Sequence, residues 1–173
     1  MAIAAVNFIS CDDDDNNDKD VVTPTNNNSN GGSTTSNLSA EFVSSSNCLR
    51  NSLDVTRGDV DEERYPLTLS YKYDSAKGEV ELTLNNIELN CAGNAKMELS
   101  FSGDTIFVGA TSDFGARCFC DFDVTSKVKG VQSKVYYICP INTKDEEEIK
   151  AIELSQKEEG SFQFSNSNLF QNF

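Results

Sequence analysis

Histidine is absent from this chain of 173 residues, and so is tryptophan. Without His no side chain has an ordinary pKa near neutrality to serve as general base, and the commonest metal ligand is missing. Ser-His and Cys-His nucleophilic chemistry is therefore excluded. Without Trp the strongest aromatic platform for stacking on sugars or peptides is gone, which leaves only Tyr and Phe for that role. Positive charge is scarce too: 14 basic residues stand against 28 acidic ones, a net charge of -14. Such a balance favours solubility and repels phosphate backbones and anionic lipid surfaces, which argues against nucleic acid as a partner. Residues 12–20 hold six Asp and one Lys, so the remainder carries 22 acidic and 13 basic groups, still a balance of -9.

What is present begins with an address. A chain of this length can hold one ordinary domain with a real core plus an unfolded segment. Residues 1–10, MAIAAVNFIS, form an apolar run of signal-peptide length, too short to span a bilayer and lacking the basic leader such signals carry. We expect them to be a signal peptide whose true start lies upstream. The run ends at Phe8-Ile9-Ser10-Cys11, and four Asp follow at positions 12–15. This segment resembles the lipobox and acidic flag of surface lipoproteins in the Bacteroidetes group of bacteria, although Phe8 stands where that family usually has an aliphatic residue. The resemblance implies cleavage before Cys11, a diacylglyceryl group on its thiol and an acyl chain on the freed amine, because stable anchoring takes several buried alkyl chains. It also implies a lipid anchor in the outer membrane with the protein exposed at the surface, a periplasm-facing anchor being the alternative. The plainer possibility is an N-terminal strand with a core cysteine, but a small residue, Cys and four Asp make a poor strand.

Thr23 to Asn37 reads TPTNNNSNGGSTTSN, drawn only from Thr, Pro, Asn, Ser and Gly. That composition cannot bury enough surface to fold and suits a spacer. Treated as coil, residues 12–37 reach on the order of 25–30 Å, enough to hold a domain clear of lipid head groups. Residues 11–37 are thus expected to be lipidated Cys, sorting segment and linker, and 38–173 the folded domain.

From Leu38 the chain alternates. Leu67, Leu69, Tyr71 and Tyr73 are apolar while Thr68, Ser70, Lys72 and Asp74 are polar, the period of a strand with one wet face. A turn with Gly78 follows, and Val80, Leu82 and Leu84 resume the pattern, so a β-hairpin is predicted. The apolar parity then shifts to Ile87, Leu89 and Cys91, which requires one extra residue near Asn85-Asn86, a bulge or a crossing between sheets. Met97, Leu99 and Phe101 before Gly103-Asp104, with Ile106, Val108 and Ala110 after it, predict a second hairpin. Cys118, Cys120, Phe122 and Val124 share a face opposite Phe119, Asp121 and Asp123. Val135 to Ile141 is apolar on both faces, as in a central strand, with Pro140 near its end where a lost amide costs least. Asp145 to Glu148 can open a short helix, while Ile152, Leu154, Phe162 and Phe164 fit a last hairpin around Glu158-Glu159-Gly160, the arrangement we expect. Seven to nine short strands and no long helix predict an all-β fold, an antiparallel β-sandwich of immunoglobulin-like size, with an antiparallel barrel as the alternative.

If Cys11 carries lipid, Cys48, Cys91, Cys118, Cys120 and Cys139 remain in a compartment where disulfides form, and the odd count leaves at least one thiol unpaired. Cys118 and Cys120 point the same way on one strand and should reach neighbouring segments, with Cys48 and Cys91 among the preferred partners. Buried free thiols are the plainer alternative. C-x-C without His or a paired C-x-x-C is a poor zinc signature, and no motif asks for a cofactor. Asp59, Asp61, Glu62 and Glu63, and again Asp145 to Glu148, form acidic loops without calcium-loop spacing, better read as solvated. Asp121 and Asp123 imitate an acid/base pair but lack a facing partner and a cleft. Asp74-Ser75-Ala76 and Asp104-Thr105-Ile106 resemble the short O-glycosylation sequon of the same bacterial group, which implies modification at Ser75 and Thr105.

The expected function is therefore a displayed binding or accessory module, its ligand a glycan or a protein. An envelope or fimbrial subunit that pairs strand edges is the second possibility. A hydrolase relying on carboxylates alone is the third.

Overall fold

Period-two alternation buries one side of most of the strands, and two sheets packed on those sides form a β-sandwich. The computed structural model describes residues 37–51, 65–91, 93–113, 118–143 and 146–171. Among them are ten strands: β1 (Ser39–Ser45), β2 (Arg50–Asn51), β3 (Thr68–Asp74), β4 (Glu79–Asn90), β5 (Lys96–Ser102), β6 (Thr105–Thr111), β7 (Phe119–Lys129), β8 (Val135–Pro140), β9 (Lys150–Glu153) and β10 (Glu159–Gln163). Sheet A has the order β1-β7-β4-β3-β10, with β2 also paired to β7, and sheet B the order β5-β6-β8-β9. No helix among the described residues is long and apolar enough to cross a membrane.

The hairpin of β3 and β4 forms as its sequence predicts. Tyr73 faces Val80 and Leu69 faces Leu84, and Gly78 takes the left-handed φ of 62° that the turn requires. Leu69, Val80, Leu82 and Leu84 are all fully buried, each contributing about 1.5–3 kcal/mol of transfer free energy. The phase shift along β4 is a bulge. Its register against β7 slips between Leu84 and Ile87 while the strand stays in sheet A. Asn86 absorbs the slip at φ 59°, a conformation that Asn tolerates better than most residues. Its N–H donates to Asp123 Oδ1 at 2.9 Å and its side-chain amide to the Pro66 carbonyl at 3.2 Å.

The second hairpin also forms, with Met97 opposite Ala110 and Leu99 opposite Val108. Strand β7 buries Cys120, Phe122, Val124, Ser126 and Val128 and is the hub of sheet A, with β4 on one side and β1 and β2 on the other. Strand β8 lies between β6 and β9, a central position consistent with apolar residues on both its faces.

Two expectations need correction. Sheet B is not wholly antiparallel, because β6 and β8 run parallel, Ile106 facing Ile138. The chain leaves sheet B after β6, returns along β7 in sheet A, and re-enters beside β6 in the original direction. The last hairpin is absent. β9 pairs with β8 in sheet B, Tyr136 facing Ile152, whereas β10 pairs with β3 in sheet A, Gly160 facing Tyr71. The amides of Gln156 and Lys157 both donate to the Glu153 carbonyl at 3.0 Å, so the chain curls after β9 and Leu154 drops into the core. Glu159 and Gly160 lie within β10 and not in a turn. Of the acidic segment 145–148, Glu146–Glu148 form a 3-10 turn.

The C-terminal segment straps the sheets together. Asn166 caps a 3-10 turn over Ser167–Leu169. Phe170, fully buried, meets Phe164 edge-on at 4.9 Å between ring centroids. Gln171 Nε2 donates to the Glu88 carbonyl on β4 at 2.7 Å, and Ala110 N–H on β6 donates to the Phe170 carbonyl at 2.5 Å.

Candidate functional site

Four cysteines gather where β7 begins. Cys48 bonds to Cys120 and Cys91 to Cys118, with Cα–Cα separations of 5.3 and 5.6 Å, ordinary for a disulfide. Because Cys118 and Cys120 stand two apart, one bond ties β7 toward the β1–β2 side and the other toward the end of β4. Cys139 is fully buried on β8 and is not a free thiol. An odd count, with one thiol left over, arises only if Cys11 carries lipid. Cys11, the acidic run Asp59, Asp61, Glu62 and Glu63, and Asp145 lie outside the described residues. Among the described residues no group of three or more Cys, Asp or Glu is arranged to hold a metal ion.

The carboxylate of Asp123 on β7 serves the sheet. Asp123 holds the Asn86 bulge, and its own N–H donates to Ser46 Oγ at 2.9 Å. Asp121 shares its face, and its carbonyl accepts the Leu49 N–H at 2.9 Å. Ser75 lies exposed in the β3–β4 turn, its hydroxyl donating to Glu158 Oε1 at 3.3 Å. Thr105 does not suit modification in the folded domain: it opens β6 between Ser102 and Tyr137 and is 4% exposed, leaving no room for a glycan.

A site that the sequence did not disclose lies on the outer face of sheet A. Register aligns the outward residues of successive strands in rows. Ser161, Ser70, Thr83 and Thr125 form a row of hydroxyls across β10, β3, β4 and β7, and Glu159, Lys72, Glu81 and Lys127 form a row of alternating charge beside it. Between the rows on the β10 side is a groove of about 380 Å³. Tyr71 and Gly160 lie between its two walls, with their side-chain positions turned to the core. A Cβ on Gly160 would come within 2.8 Å of Tyr71 Cε1, so only glycine lets β10 close over that ring. Burial pushes the Tyr71 phenol up from its ordinary value, which keeps it neutral.

The walls differ in how far their side chains are committed. In the hydroxyl wall, Thr83 and Thr125 are 2.9 Å apart through their Oγ1 atoms, and Asn85 Nδ2 donates to Ser70 Oγ and Thr68 Oγ1, both at 3.2 Å. In the charged wall, Lys72, Glu81 and Glu159 stand in register yet form neither ion pair nor hydrogen bond with one another, and Ser161 Oγ is likewise uncommitted. Other charges on this molecule do pair: Lys129 with Glu41 at 2.5 Å, Lys77 with Asp74 at 2.7 Å and Lys127 with Glu79 at 3.6 Å. The alternation of β3 and β4 marks Ser70, Lys72, Glu81 and Thr83 as outward, but only the pairing of β10 with β3 brings Glu159 and Ser161 to them. No protein-family model matches the chain, and no curated protein or solved structure is significantly similar to it.

Proposed function

We propose that this chain is a lipoprotein tethered through Cys11 to the bacterial outer membrane, and that its β-sandwich is a binding module displayed at the envelope. The observation that carries the binding half is the groove on sheet A, where uncommitted polar side chains stand on a rigid, hydrogen-bonded platform. The anchor rests on the likeness of Phe8 to Asp15 to a lipobox with its acidic flag, and on a spacer that ends at Asn37 just before the first strand begins at Ser39. Replacing Cys11 with Ser in the native host tests the anchor: the protein should leave the membrane pellet and the detergent phase for the soluble fraction. Unchanged pelleting overturns it. So does a disulfide-linked peptide containing Cys11 in a non-reduced digest, because one sulfur cannot carry both a thioether to lipid and a disulfide. Modification of Ser75 would raise the intact mass above that of the unmodified lipoprotein, by an increment that Ser75→Ala removes.

Strand β1 favours a second reading, an assembly subunit. It lies at the edge of sheet A with all seven residues exposed, including Phe42 and Val43, and an open edge can accept a neighbour's strand. The register shift between Phe42 and Ser44 opposes this by breaking the straight edge. Concentration-dependent oligomers of the full chain, abolished by Val43→Lys, would favour assembly over binding.

A further inference from the structure

We infer that the groove on sheet A takes the edge of a neutral glycan, bound through hydroxyl and carboxylate hydrogen bonds and without ring stacking; this rests on the binding-module reading above. Three observations narrow the ligand class. First, the walls hold only polar side chains, Ser70, Thr83 and Ser161 facing Lys72, Glu81 and Glu159, so a protein partner would find no apolar anchor of the kind that centres most interfaces. Second, two carboxylates flank one ammonium within a domain of strong negative balance, which disfavours polyanions such as uronate polymers or phosphate chains. Third, the charged wall is uncommitted: its carboxylates can each accept two hydroxyl donors, and Lys72 can donate up to three bonds. A carboxylate suits a vicinal diol because two oxygens meet two O–H groups, and the ammonium between them suits a ring or hydroxyl oxygen.

The geometry also sets the direction of the chain. Walls two residues apart along the strands stand about 6.6–6.8 Å from each other, and each wall repeats from strand to strand at about 4.7–4.9 Å. A linear polymer of sugar rings lying across β10, β3 and β4 would meet one hydroxyl and one charged group per strand, a spacing of the same order as a pyranose repeat. Without an aromatic platform each site binds weakly, and a repeating polymer compensates through multiple contacts.

The test uses the full chain carrying Cys11→Ser, which keeps it in solution, run by affinity electrophoresis through gels containing xylan, galactomannan, laminarin or polygalacturonate. At least one neutral polymer should retard the protein and polygalacturonate should not. The double variant Lys72→Ala/Glu159→Ala, which removes two side chains without a partner in the folded domain, should weaken retardation about tenfold, as the loss of two ordinary hydrogen bonds requires, and Glu81→Gln should weaken it as well. Glu153→Gln, exposed on β9 of the other sheet, should leave it unchanged. Ser161→Ala, on the exposed edge strand, keeps the assignment testable if the double variant melts early. Retardation by none of the neutral polymers, or stronger retardation by polygalacturonate, overturns the inference. Retardation that all the groove variants leave intact also overturns it, while sparing the binding-module reading, since the sugar would then sit elsewhere. The membrane pelleting of the wild-type chain is read separately and is indifferent to all these outcomes.

Discussion

Sheet A and sheet B use the same residue types but are held together differently. Every pairing in sheet A is antiparallel, β3 and β4 are joined by a tight turn, and the Cys48–Cys120 and Cys91–Cys118 bonds both clamp the start of β7. Sheet B holds a parallel pair, β6 and β8, whose connection passes through the other sheet, and the strap ending at Gln171 ties β6 back to β4. The outer faces differ in the same sense. Sheet A presents rows of hydroxyls and alternating charges, whereas sheet B presents Tyr137 and the side chain of Ile141 over Gly109. Sheet A is thus a covalently clamped, polar platform suited to hold a groove, and sheet B is its packed support.

The largest test of that contrast is to cut the clamp. The Cys48–Cys120 bond spans 72 residues and the Cys91–Cys118 bond 27, so loop-closure entropy assigns them about 4.4 and about 3.6 kcal/mol. Paired Cys→Ala variants should lose stability in that order in urea titrations, and equal losses would show that closed-loop length is not what matters. Next, Phe170→Ala should cost about 4 kcal/mol by removing the buried ring that closes the strap onto Phe164. A loss below about 1 kcal/mol would mean that the sheets are held without it.

Smaller effects sharpen the account of β7. Ser126 Oγ is buried with no hydrogen-bond partner, and an unsatisfied hydroxyl costs about 1–3 kcal/mol. Ser126→Ala should therefore raise the urea midpoint, and a lowered midpoint would count against that explanation. Asn86→Ala, which forces a β-carbon residue lacking the amide into the left-handed bulge, should destabilise by about 1 kcal/mol, while Asn86→Gly should lose less. The smallest effect is electrostatic. The hydrogen bond and charge of Lys129 hold the exposed Glu41 carboxyl below its ordinary range. A lowered folded pKa gives stability that is present above the unfolded value and lost as pH falls through the folded one. The difference between wild type and Glu41→Gln should thus be found at neutral pH and vanish in acid. A difference that persists in acid would assign the effect to packing.

Much of this was legible in the residues. The alternations of β3, β4, β5 and β6 named both hairpins, and the parity shift at Asn85-Asn86 required either a bulge or a crossing between sheets, of which the structure has the bulge. Cys118 and Cys120 on one face were not expected to bond to each other, and each has its partner on a separate segment. Two features were not legible. The pattern Ile152, Leu154, Phe162, Phe164 fits a hairpin as well as it fits two strands in different sheets, because each needs only one apolar side. Glu159 and Ser161 look like ordinary polar residues near a chain end until β10 lies on β3. Thr105 read as a turn residue from its neighbours Gly103 and Asp104, yet sits 4% exposed because β8 closes against it.

By itself the sequence determined which side of β3, β4 and β7 is buried and where the two hairpins turn, since period-two alternation and turn residues act within a few residues of one another. Tertiary structure alone decided which strands became neighbours, that β6 and β8 run parallel, and that hydroxyls and charges from β10, β3 and β4 stand in facing rows. The physical reason is that burial rewards any sheet covering an apolar side equally well. The choice among such sheets is made by contacts between residues far apart in the chain: the clamped start of β7, the Phe164–Phe170 pair and the Tyr71 ring beneath Gly160.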